Sequence, residues 1–349
     1  MSLIMNAWYV AAWPREITQE KLLARTICNE RMVLFRDAAG RVAALEDRCC
    51  HRQLPLSHGW MDGETVRCGY HGLRFDAKGK CVECPMQDFI PPGASVRTYP
   101  VIERHGWVWV WPGVAGQADP ALIPAMFERN EHADWTSVGG TTYVRGQYEL
   151  LSDNLLDLTH ETYIHRDSLG NQAVVEHPIE VLNDERSVTV QRFIMNHEPA
   201  PFWKAMLHKK LGTDVMADRW QIIRFMPPAN VVLDVGVAPA GAGIREGNRS
   251  SGVEGCNLNA ITPETEGSTW YFWAFARKFV RDDAALSDKL VATVAGIFEQ
   301  DRVAIEAVHD TMQRNAGRPV IHLQTDKGQN LARRMVERAL AAEQRGSGG

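Results

Sequence analysis

The chain reads Cys49-Cys50-His51 and, after sixteen further residues, Cys68-Gly69-Tyr70-His71. Each stretch pairs one cysteine with one histidine, in the spacings C-x-H and C-x-x-H. Thiolates and imidazoles are both metal ligands. Each short pair fits on one tight loop, and two such loops can close on one centre from opposite sides. The sequence therefore predicts a single metal centre held by two thiolates and two imidazoles.

This ligand set is that of a Rieske [2Fe–2S] centre, in which two cysteines bind one iron and two histidines bind the other. Its potential lies at about −150 to +300 mV, against about −400 mV for plant-type ferredoxins. Zinc sites use the same residue types but usually pair cysteine with cysteine and histidine with histidine. The spacing favours Cys49, His51, Cys68 and His71 as Rieske cluster ligands, in a protein that moves single electrons.

Bulk properties are those of an ordinary globular protein. The 349 residues are 45% apolar and 23% charged, which leaves room for two domains and a sizeable core. No apolar run is long enough to span a membrane, and a net charge of −5 gives no support to nucleic-acid binding. The seven cysteines follow no disulfide framework, and no export signal is visible, so we expect a cytoplasmic protein.

The chain changes character after a proline- and glycine-containing linker at residues 116–124. Before it, strand-like runs are separated by glycine and proline, which predicts a β-rich domain over residues 1–115. After it, strands are bracketed by helices without regular βαβ alternation, which predicts an α+β domain over residues 116–349. The main predicted elements are strands Val42–Glu46, Gly106–Trp111, Arg219–Phe225 and Thr269–Arg277, and helices Glu149–Ile164 and Asp283–Gln313.

The predicted helix Glu149–Ile164 leads into a candidate second metal site. His160 and His165 lie five residues apart and can converge on one metal if the last turn is slightly distorted. A mononuclear iron oxygenase needs two histidines and one carboxylate, with open positions for dioxygen. Asp157 and Glu161 are local candidates for the carboxylate.

A more distant carboxylate is the favoured third ligand. In the predicted helix Asp283–Gln313, Asp301 falls within the apolar stripe of the helix. A carboxylate that faces a core is costly unless it is paired or bound to a metal. The alternative is an ion pair with a buried arginine. The stripe comprises Leu290, Val294, Ile297, Phe298, Ile305 and Val308.

With Asp301 as the ligand, Asp157 is available for another role. Three residues before His160 on a helix, it lies on the same face and can accept a ring N–H from that histidine. Because a cluster histidine also presents an outward N–H, one carboxylate could bridge His71 and His160 and connect the two metals. Asn154, one turn earlier, is a candidate for a further polar contact near the iron.

These motifs resemble those of Rieske non-haem iron oxygenase α subunits. The chain is most similar to the group that contains vanillate and dicamba O-demethylases and toluenesulfonate methyl-monooxygenase. The resemblance runs nearly from end to end. Its motifs are Asn6-Ala7-Trp8-Tyr9-Val10-Ala11, the cluster residues, Asp153 to His160, Asp218-Arg219-Trp220-Gln221, Ile261-Thr262-Pro263-Glu264-Thr265 and Trp270-Tyr271-Phe272-Trp273. Gln53-Leu54 departs from the family's small Gly-Ala-like pair.

The resemblance implies an N-terminal antiparallel β Rieske domain and a C-terminal helix-grip domain whose curved sheet cups iron and substrate. It implies two cofactors, a Rieske [2Fe–2S] cluster and a mononuclear non-haem Fe(II). Such subunits form head-to-tail homotrimers, because cluster and iron within one chain are too far apart. The electron crosses from the cluster of one chain to the iron of the next. A separate NAD(P)H-dependent flavin and iron–sulfur reductase supplies the electrons.

The sequence therefore favours a terminal oxygenase that uses O₂ to O-demethylate a small methoxylated aromatic acid and releases formaldehyde. Hydroxylation of a methyl group or ring of an aromatic carboxylate or sulfonate is the alternative. A ferredoxin would need only the first third of the chain, and a helix-grip ligand binder would lack the cluster motif. Arg224, Arg245 and Arg277 are candidate partners for an anionic substrate, and none is assigned.

Overall fold

The computed structural model describes residues 3–170 and 172–346. The chain divides into two compact units, Met1–Ile123 with Thr262–Glu266, and Pro124–Ile261 with Gly267–Gly349. The outer ends of the two predicted domains, at residues 1 and 349, lie outside the described residues. No helix in the described part of the chain has the length and apolarity needed to cross a bilayer.

The first unit consists of short antiparallel strands. In chain order they are β1 (Tyr9–Ala12), β2 (Leu23–Ile27), β3 (Glu30–Arg36), β4 (Val42–Glu46), β5 (Trp60–Asp62), β6 (Thr65–Arg67), β7 (Arg74–Phe75), β8 (Cys81–Glu83), β9 (Thr98–Tyr99), β10 (Val101–Arg104) and β11 (Trp107–Val110). Within the described residues they pair as sheets β1-β11-β10, β2-β3-β4-β9 and β5-β6-β7-β8. Strand β4 has its predicted bounds.

The core of this unit reaches the two metal-binding loops. Cys49 follows β4, and Cys68 lies directly after β6. Both cysteines belong to a buried apolar cluster with Val33, Phe35 and Phe75. The sheets therefore anchor the cysteine side of each loop in the core.

The second unit combines one antiparallel sheet with helices. Its elements are β12 (Thr136–Val144), α1 (Tyr148–Leu156), α2 (Glu161–Ile164), α3 (Gln172–Glu176), β13 (Glu180–Asn183), β14 (Val188–His197), α4 (Pro201–Leu211), β15 (Ala217–Met226), β16 (Asn230–Pro239), β17 (Val253–Thr265), β18 (Ser268–Arg277), α5 (Ala284–Arg314) and α6 (Lys327–Gly346). The described sheet has the order β12-β18-β17-β16-β15-β14-β13.

Helix α5 lies against this sheet, in contact with β12 and β18. Its buried face includes Leu290, Val294, Ile297, Phe298, Asp301 and Ile305, as the apolar spacing predicts. Val308 does not belong to that face, since it is 48% exposed. Segregated helices and antiparallel strands confirm the predicted α+β class.

The predicted continuous helix Glu149–Ile164 is wrong. Helix α1 ends at Leu156, because Asp157 has an extended backbone with φ −92° and ψ 110°. The Asp157 carboxylate accepts hydrogen bonds from both the backbone N–H and the hydroxyl of Thr159, each at 2.6 Å. Such a local side-chain turn competes with helical hydrogen bonding. The chain therefore re-enters helix only at Glu161.

Candidate active site with two metal centres

The two cysteine loops of the first unit share one hydrogen-bond pattern. The Cys49 N–H donates to the Leu54 carbonyl at 2.9 Å, and the Gln53 N–H donates to the Cys49 carbonyl at 3.0 Å. The second loop repeats both bonds at the same offsets from Cys68. The fourth residue after each cysteine is left-handed, with φ 62° at Gln53 and 76° at Gly72. The two loops are thus equivalent hairpins that present their ligands to one place.

Their side chains differ in exposure. The Cys49 and Cys68 thiols are buried, whereas His51 and His71 are exposed and their ring centroids lie 4.5 Å apart. Burial raises the pKa of the Cys49 thiol to about 11. The neighbouring Cys68 thiol also raises this pKa, whereas a hydrogen bond from the His51 backbone lowers it. Binding a metal through these thiols must therefore release protons. Two soft donors and two imidazoles fit a Rieske cluster.

In the second unit, His160, His165 and Asp301 form a candidate iron site. The histidines flank the single turn of α2, and Asp301 lies on the buried face of α5. One ligand atom from each residue lies within 4.8 Å of those of the other two. Asp301 Oδ1 is 3.1 Å from His165 Nε2 and 3.6 Å from His160 Nε2. Two imidazoles and one carboxylate on one side of a cavity fit mononuclear Fe(II).

Two amide side chains hold these ligands in place. Asn154 Nδ2 donates to Asp301 Oδ1 at 3.0 Å. Gln300 Oε1 lies 2.8 Å from His165 Nδ1, and this contact places the ring proton on Nδ1 and leaves Nε2 to bind a metal. Burial acts to lower the pKa of His165, but the hydrogen bond and charge of Asp301 outweigh it and raise that pKa.

Asp157 lies near His160, but its backbone conformation differs from the predicted one. It sits in the break after α1 rather than on the same helical face as the histidine. Its Oδ2 is 3.8 Å from His160 Nδ1, which is an ion-pair distance rather than a hydrogen bond. Burial opposes ionisation of Asp157, but the contacts with His160 and Thr159 outweigh it and lower the pKa of the carboxyl.

Glu161, a candidate local ligand, belongs instead to a buried polar cluster. It pairs with Arg192 at 3.2 Å and with Arg219 at 3.4 Å, and it accepts a hydrogen bond from Gln221 Nε2 at 2.6 Å. Its oxygens are therefore committed to these groups, which leaves Asp301 as the carboxylate beside both histidines.

A cavity connects the iron site to the sheet. Its lining comes from α1, from the α2 turn with its flanking histidines, from α4 and α5, and from strands β15 to β18. The apolar lining comprises Leu155, Leu158, Leu169, Phe202, Ile223, Leu233, Val235, Phe275, Val294, Ile297 and Phe298. Mostly apolar walls with a few convergent polar groups are typical of a small-molecule binding site.

The structure does not bring the three arginines considered from sequence to this cavity. Arg224 and Arg245 are exposed, and Arg277 donates to backbone carbonyls and to Ser287. Instead, the buried Arg219 lines the cavity. In the sequence, Arg219 is marked by alternation: it precedes Gln221 by two residues and Ile223 by four, and all three lie on the buried face of β15.

Comparisons with known proteins agree with both halves of the chain. Residues 7–100 match the family model of the Rieske [2Fe-2S] domain. Residues 144–342 match that of the vanillate O-demethylase oxygenase C-terminal domain.

Similar proteins span the full chain. The iron-sulfur subunit of the toluene-4-sulfonate monooxygenase system of Comamonas testosteroni is 39% identical over 99% of both chains. A vanillate O-demethylase oxygenase subunit from a Pseudomonas species is 40% identical over 97% of this chain and 95% of its own. Among solved structures, dicamba monooxygenase bound to 3,6-dichlorosalicylic acid superposes with a TM-score of 0.91 at 33% identity, covering 98% of this chain and 99% of its own.

Proposed function

Because the chain belongs to the Rieske oxygenase family whose catalytic half is the vanillate O-demethylase oxygenase C-terminal domain, we propose that it O-demethylates a vanillate-like methoxylated aromatic acid. The chain is a Rieske-type monooxygenase and the oxygenase component of a multicomponent system. It uses a Rieske [2Fe–2S] cluster and a mononuclear non-haem iron. The resemblance to this family and both predicted cofactors are thereby confirmed.

The observation that carries the proposal is the cluster of His160, His165 and Asp301 in the lining of a mostly apolar cavity, in a chain that also carries the cysteine–histidine loops. A ferredoxin, which only carries electrons, does not need such a cavity. A helix-grip protein that only binds a ligand does not need the cysteine–histidine loops.

When bound, the cluster supplies single electrons and the iron activates dioxygen for insertion into a C–H bond. One oxygen atom enters the aryl methyl ether and the other leaves as water, with two electrons and two protons consumed. The resulting hemiacetal collapses to a phenol and formaldehyde.

The protein's own residues bind and orient in this scheme. We assign Cys49, His51, Cys68 and His71 to the cluster, and His160, His165 and Asp301 to the iron. Asn154 holds the Asp301 carboxylate, and the apolar walls exclude water from the reacting methyl group. Asp157 is the proposed link between His160 of one subunit and His71 of the next.

The remaining assignments follow from the family resemblance. We propose a head-to-tail homotrimer in the cytoplasm, with electrons from a separate NAD(P)H-dependent flavin and iron–sulfur reductase. We also propose domains at residues 1–115 and 116–349. The ends of the two family matches, at residue 100 and residue 144, flank that boundary and support it.

Formaldehyde release tests the proposal. The holoenzyme with a surrogate reductase should release one formaldehyde per phenol formed from 4-hydroxy-3-methoxybenzoate, and Asp301→Ala should lose iron and turnover while keeping the Rieske absorbance. Full iron and activity in Asp301→Ala would contradict the ligand assignment.

The second candidate is hydroxylation of an aryl methyl group, which the similarity to the toluene-4-sulfonate monooxygenase subunit favours. The same preparation given 4-toluenesulfonate should then form the benzylic alcohol without formaldehyde. Comparing kcat/KM for the two substrates decides between the reactions.

A further inference from the structure

The cavity beside the iron site has a charged residue in its wall. Arg219 projects from β15 and is 2% exposed. Its guanidinium carbon lies 5.8 Å from the ring centroid of Trp203, which comes from α4 and lines the same cavity. A buried arginine in a mostly apolar pocket is costly unless its charge and all its donors are matched.

The charge of Arg219 is not fully matched by its neighbours. Arg219 and Arg192 share one carboxylate, that of Glu161, and the fourth member of the cluster, Gln221, is neutral. Arg192 is well satisfied, because it also donates to Gln221 and to the carbonyls of Leu158 and Val174. The four-residue cluster therefore carries one excess positive charge. The negative charge of Asp301 does not offset it, since Asp301 is assigned to the iron.

Two donors in the cavity wall are also unmatched. Arg219 uses its other nitrogens on the Leu169 carbonyl and on Glu161, but its Nε has no hydrogen-bond partner among the described residues. The indole Nε1 of Trp203 is likewise buried and unpartnered within residues 3–170 and 172–346. Leaving a buried donor unpaired is costly, so both are available to an acceptor that enters the cavity.

We propose that Arg219 and Trp203 form the subsite that binds the anionic group of the aromatic substrate, a ring carboxylate or sulfonate. An oxyanion there would neutralise the excess charge and accept from both free donors, while the ring contacts the apolar walls. The inference rests on the proposed function only in taking the substrate to be aromatic.

Binding without turnover tests the subsite. Oxidised holoenzyme, with no reductant, is titrated calorimetrically with 4-methoxybenzoate, its neutral carboxamide and 4-toluenesulfonate. The wild type should bind each anion at least about tenfold more tightly than the amide, because a charged hydrogen-bonded pair is lost in the amide. In Arg219→Met that ratio should fall to within about twofold.

Arg224→Met is the matched control, since Arg224 lies on the same strand but is exposed. It should keep the wild-type ratio. Trp203→Phe removes one donor and keeps an aromatic ring. Because the lost ring volume affects acid and amide alike, we expect a partial loss of about threefold in the ratio.

Equal affinity of the wild type for acid and amide would overturn the subsite, and so would an unchanged ratio in a folded, red-brown Arg219→Met. If that variant fails to fold, the wild-type ratio and Trp203→Phe decide. If the wild type selects the anion through Trp203 and Arg219 but neither releases formaldehyde nor oxidises a methyl group, the subsite is supported and the proposed function is refuted.

Discussion

At the scale of residues, the candidate iron site depends on its neighbours as much as on its ligands. Gln300 lies 2.8 Å from the outer nitrogen of His165, and Asn154 donates to Asp301 at 3.0 Å. Partners of this kind fix the tautomer and orientation of metal ligands. Iron affinity should therefore be sensitive to residues that never contact the metal.

Gln300→Leu should weaken iron binding by about 10–100-fold, because the Nδ1 proton of His165 loses its acceptor and the ring its orientation. Iron retained after dialysis against graded chelator measures this, with the Rieske absorbance as an internal reference. Glu299→Gln is the control, since this neighbouring side chain is 54% exposed, and its iron content should match the wild type. Equal iron retention in all three proteins would refute the role of Gln300.

Asp157→Asn should leave both metals bound yet reduce turnover steeply. The amide preserves the shape of the turn to Thr159 but removes the negative charge beside His160. The loss should appear in single-turnover transfer from the reduced cluster to the iron, with substrate affinity little changed. A normal transfer rate would mean that Asp157 only shapes the chain.

The metal ligands could be recognised in the sequence from their residue types, whereas the residues that contact those ligands in space could not. His160, His165 and Asp301 could be proposed because their chemistry and position in a helical pattern are unusual. Gln300 has no such signal, and Arg219 is marked only by its alternation with Gln221 and Ile223 on β15. The contacts of both residues arise only when α5 and β15 fold against other elements.

At the scale of elements, glycines in the sheet make room for aromatic rings. Gly140 on β12 is the register partner of Trp273 on β18, and a Cβ at Gly140 would lie 2.7 Å from Trp273 Cζ2. Gly236 on β16 is the register partner of Trp220, and a Cβ there would clash with that ring and with the Val253 carbonyl. Such pairs let a large ring cover the neighbouring strand.

Gly236→Ala should destabilise the protein by about 1–3 kcal/mol, because the buried strands must shift. Gly296→Ala is the matched counterpart: it adds the same methyl group in the interior of α5, where no atom lies within 4 Å of the new Cβ. It should stabilise by about 0.5–1 kcal/mol through helix propensity. Thermal unfolding should therefore shift in opposite directions, and a shared direction would contradict the packing argument.

A carboxylate links α5 to the end of β12. Glu306 accepts the backbone N–H and the guanidinium of Arg145, each at 3.0 Å, and pairs with Arg302 at 2.9 Å. Burial acts to raise the pKa of Glu306, but these hydrogen bonds outweigh it and lower the pKa from its usual 4.5. A depressed folded-state pKa contributes stability above the unfolded value, which is lost as pH falls through the folded value.

Glu306→Gln should therefore reduce stability at pH 7 by about 1 kcal/mol. The difference from wild type should shrink as the pH falls below 4.5. Melting temperatures of both proteins over a pH series measure it. Asp310→Asn, in an exposed pair with Arg314, should cause little change at any pH. A difference that stays constant with pH would contradict the linkage.

Periodicity identified long elements and missed local interruptions. The buried face of α5 and the bounds of β4 follow from the sequence pattern. The break after Leu156 does not, because a side-chain turn at Asp157 overrides a sequence that otherwise favours helix. Strand β12 was also missed, since Thr-Ser-Val-Gly-Gly-Thr-Thr lacks the apolar alternation of a strand with one buried face.

At the scale of the whole molecule, the order of the two functional halves is readable from sequence because each has its own motif. The cysteine–histidine pairs mark the first half, and the histidine pair with Asp301 marks the second. The assembly of chains is not encoded in any local spacing, because it depends on complementary surfaces. The proposed trimer therefore rests on resemblance and needs its own test.

Mixed assemblies supply that test. Co-assembled Asp157→Asn and His71→Ala chains should recover activity that neither pure variant has, because a head-to-tail trimer then contains junctions with an intact His71 and an intact Asp157. Single-turnover rates in trimers of verified composition measure the recovery. Its absence would mean that the electron path lies within one chain or that Asp157 has only a structural role. Mixing two Asp157→Asn preparations is the control and should recover nothing.

The division of the cavity between helices and strands has an evolutionary consequence. The metal ligands flank α2 or lie on α5, whereas wall positions such as Ile223, Leu233 and Val235 lie on β15 and β16. A mutation in these strands can alter which compounds fit while the protein keeps its iron. Lineages can therefore pass between substrates through active intermediates. Libraries confined to these strand positions should yield new specificities more often than libraries of equal size on the helices.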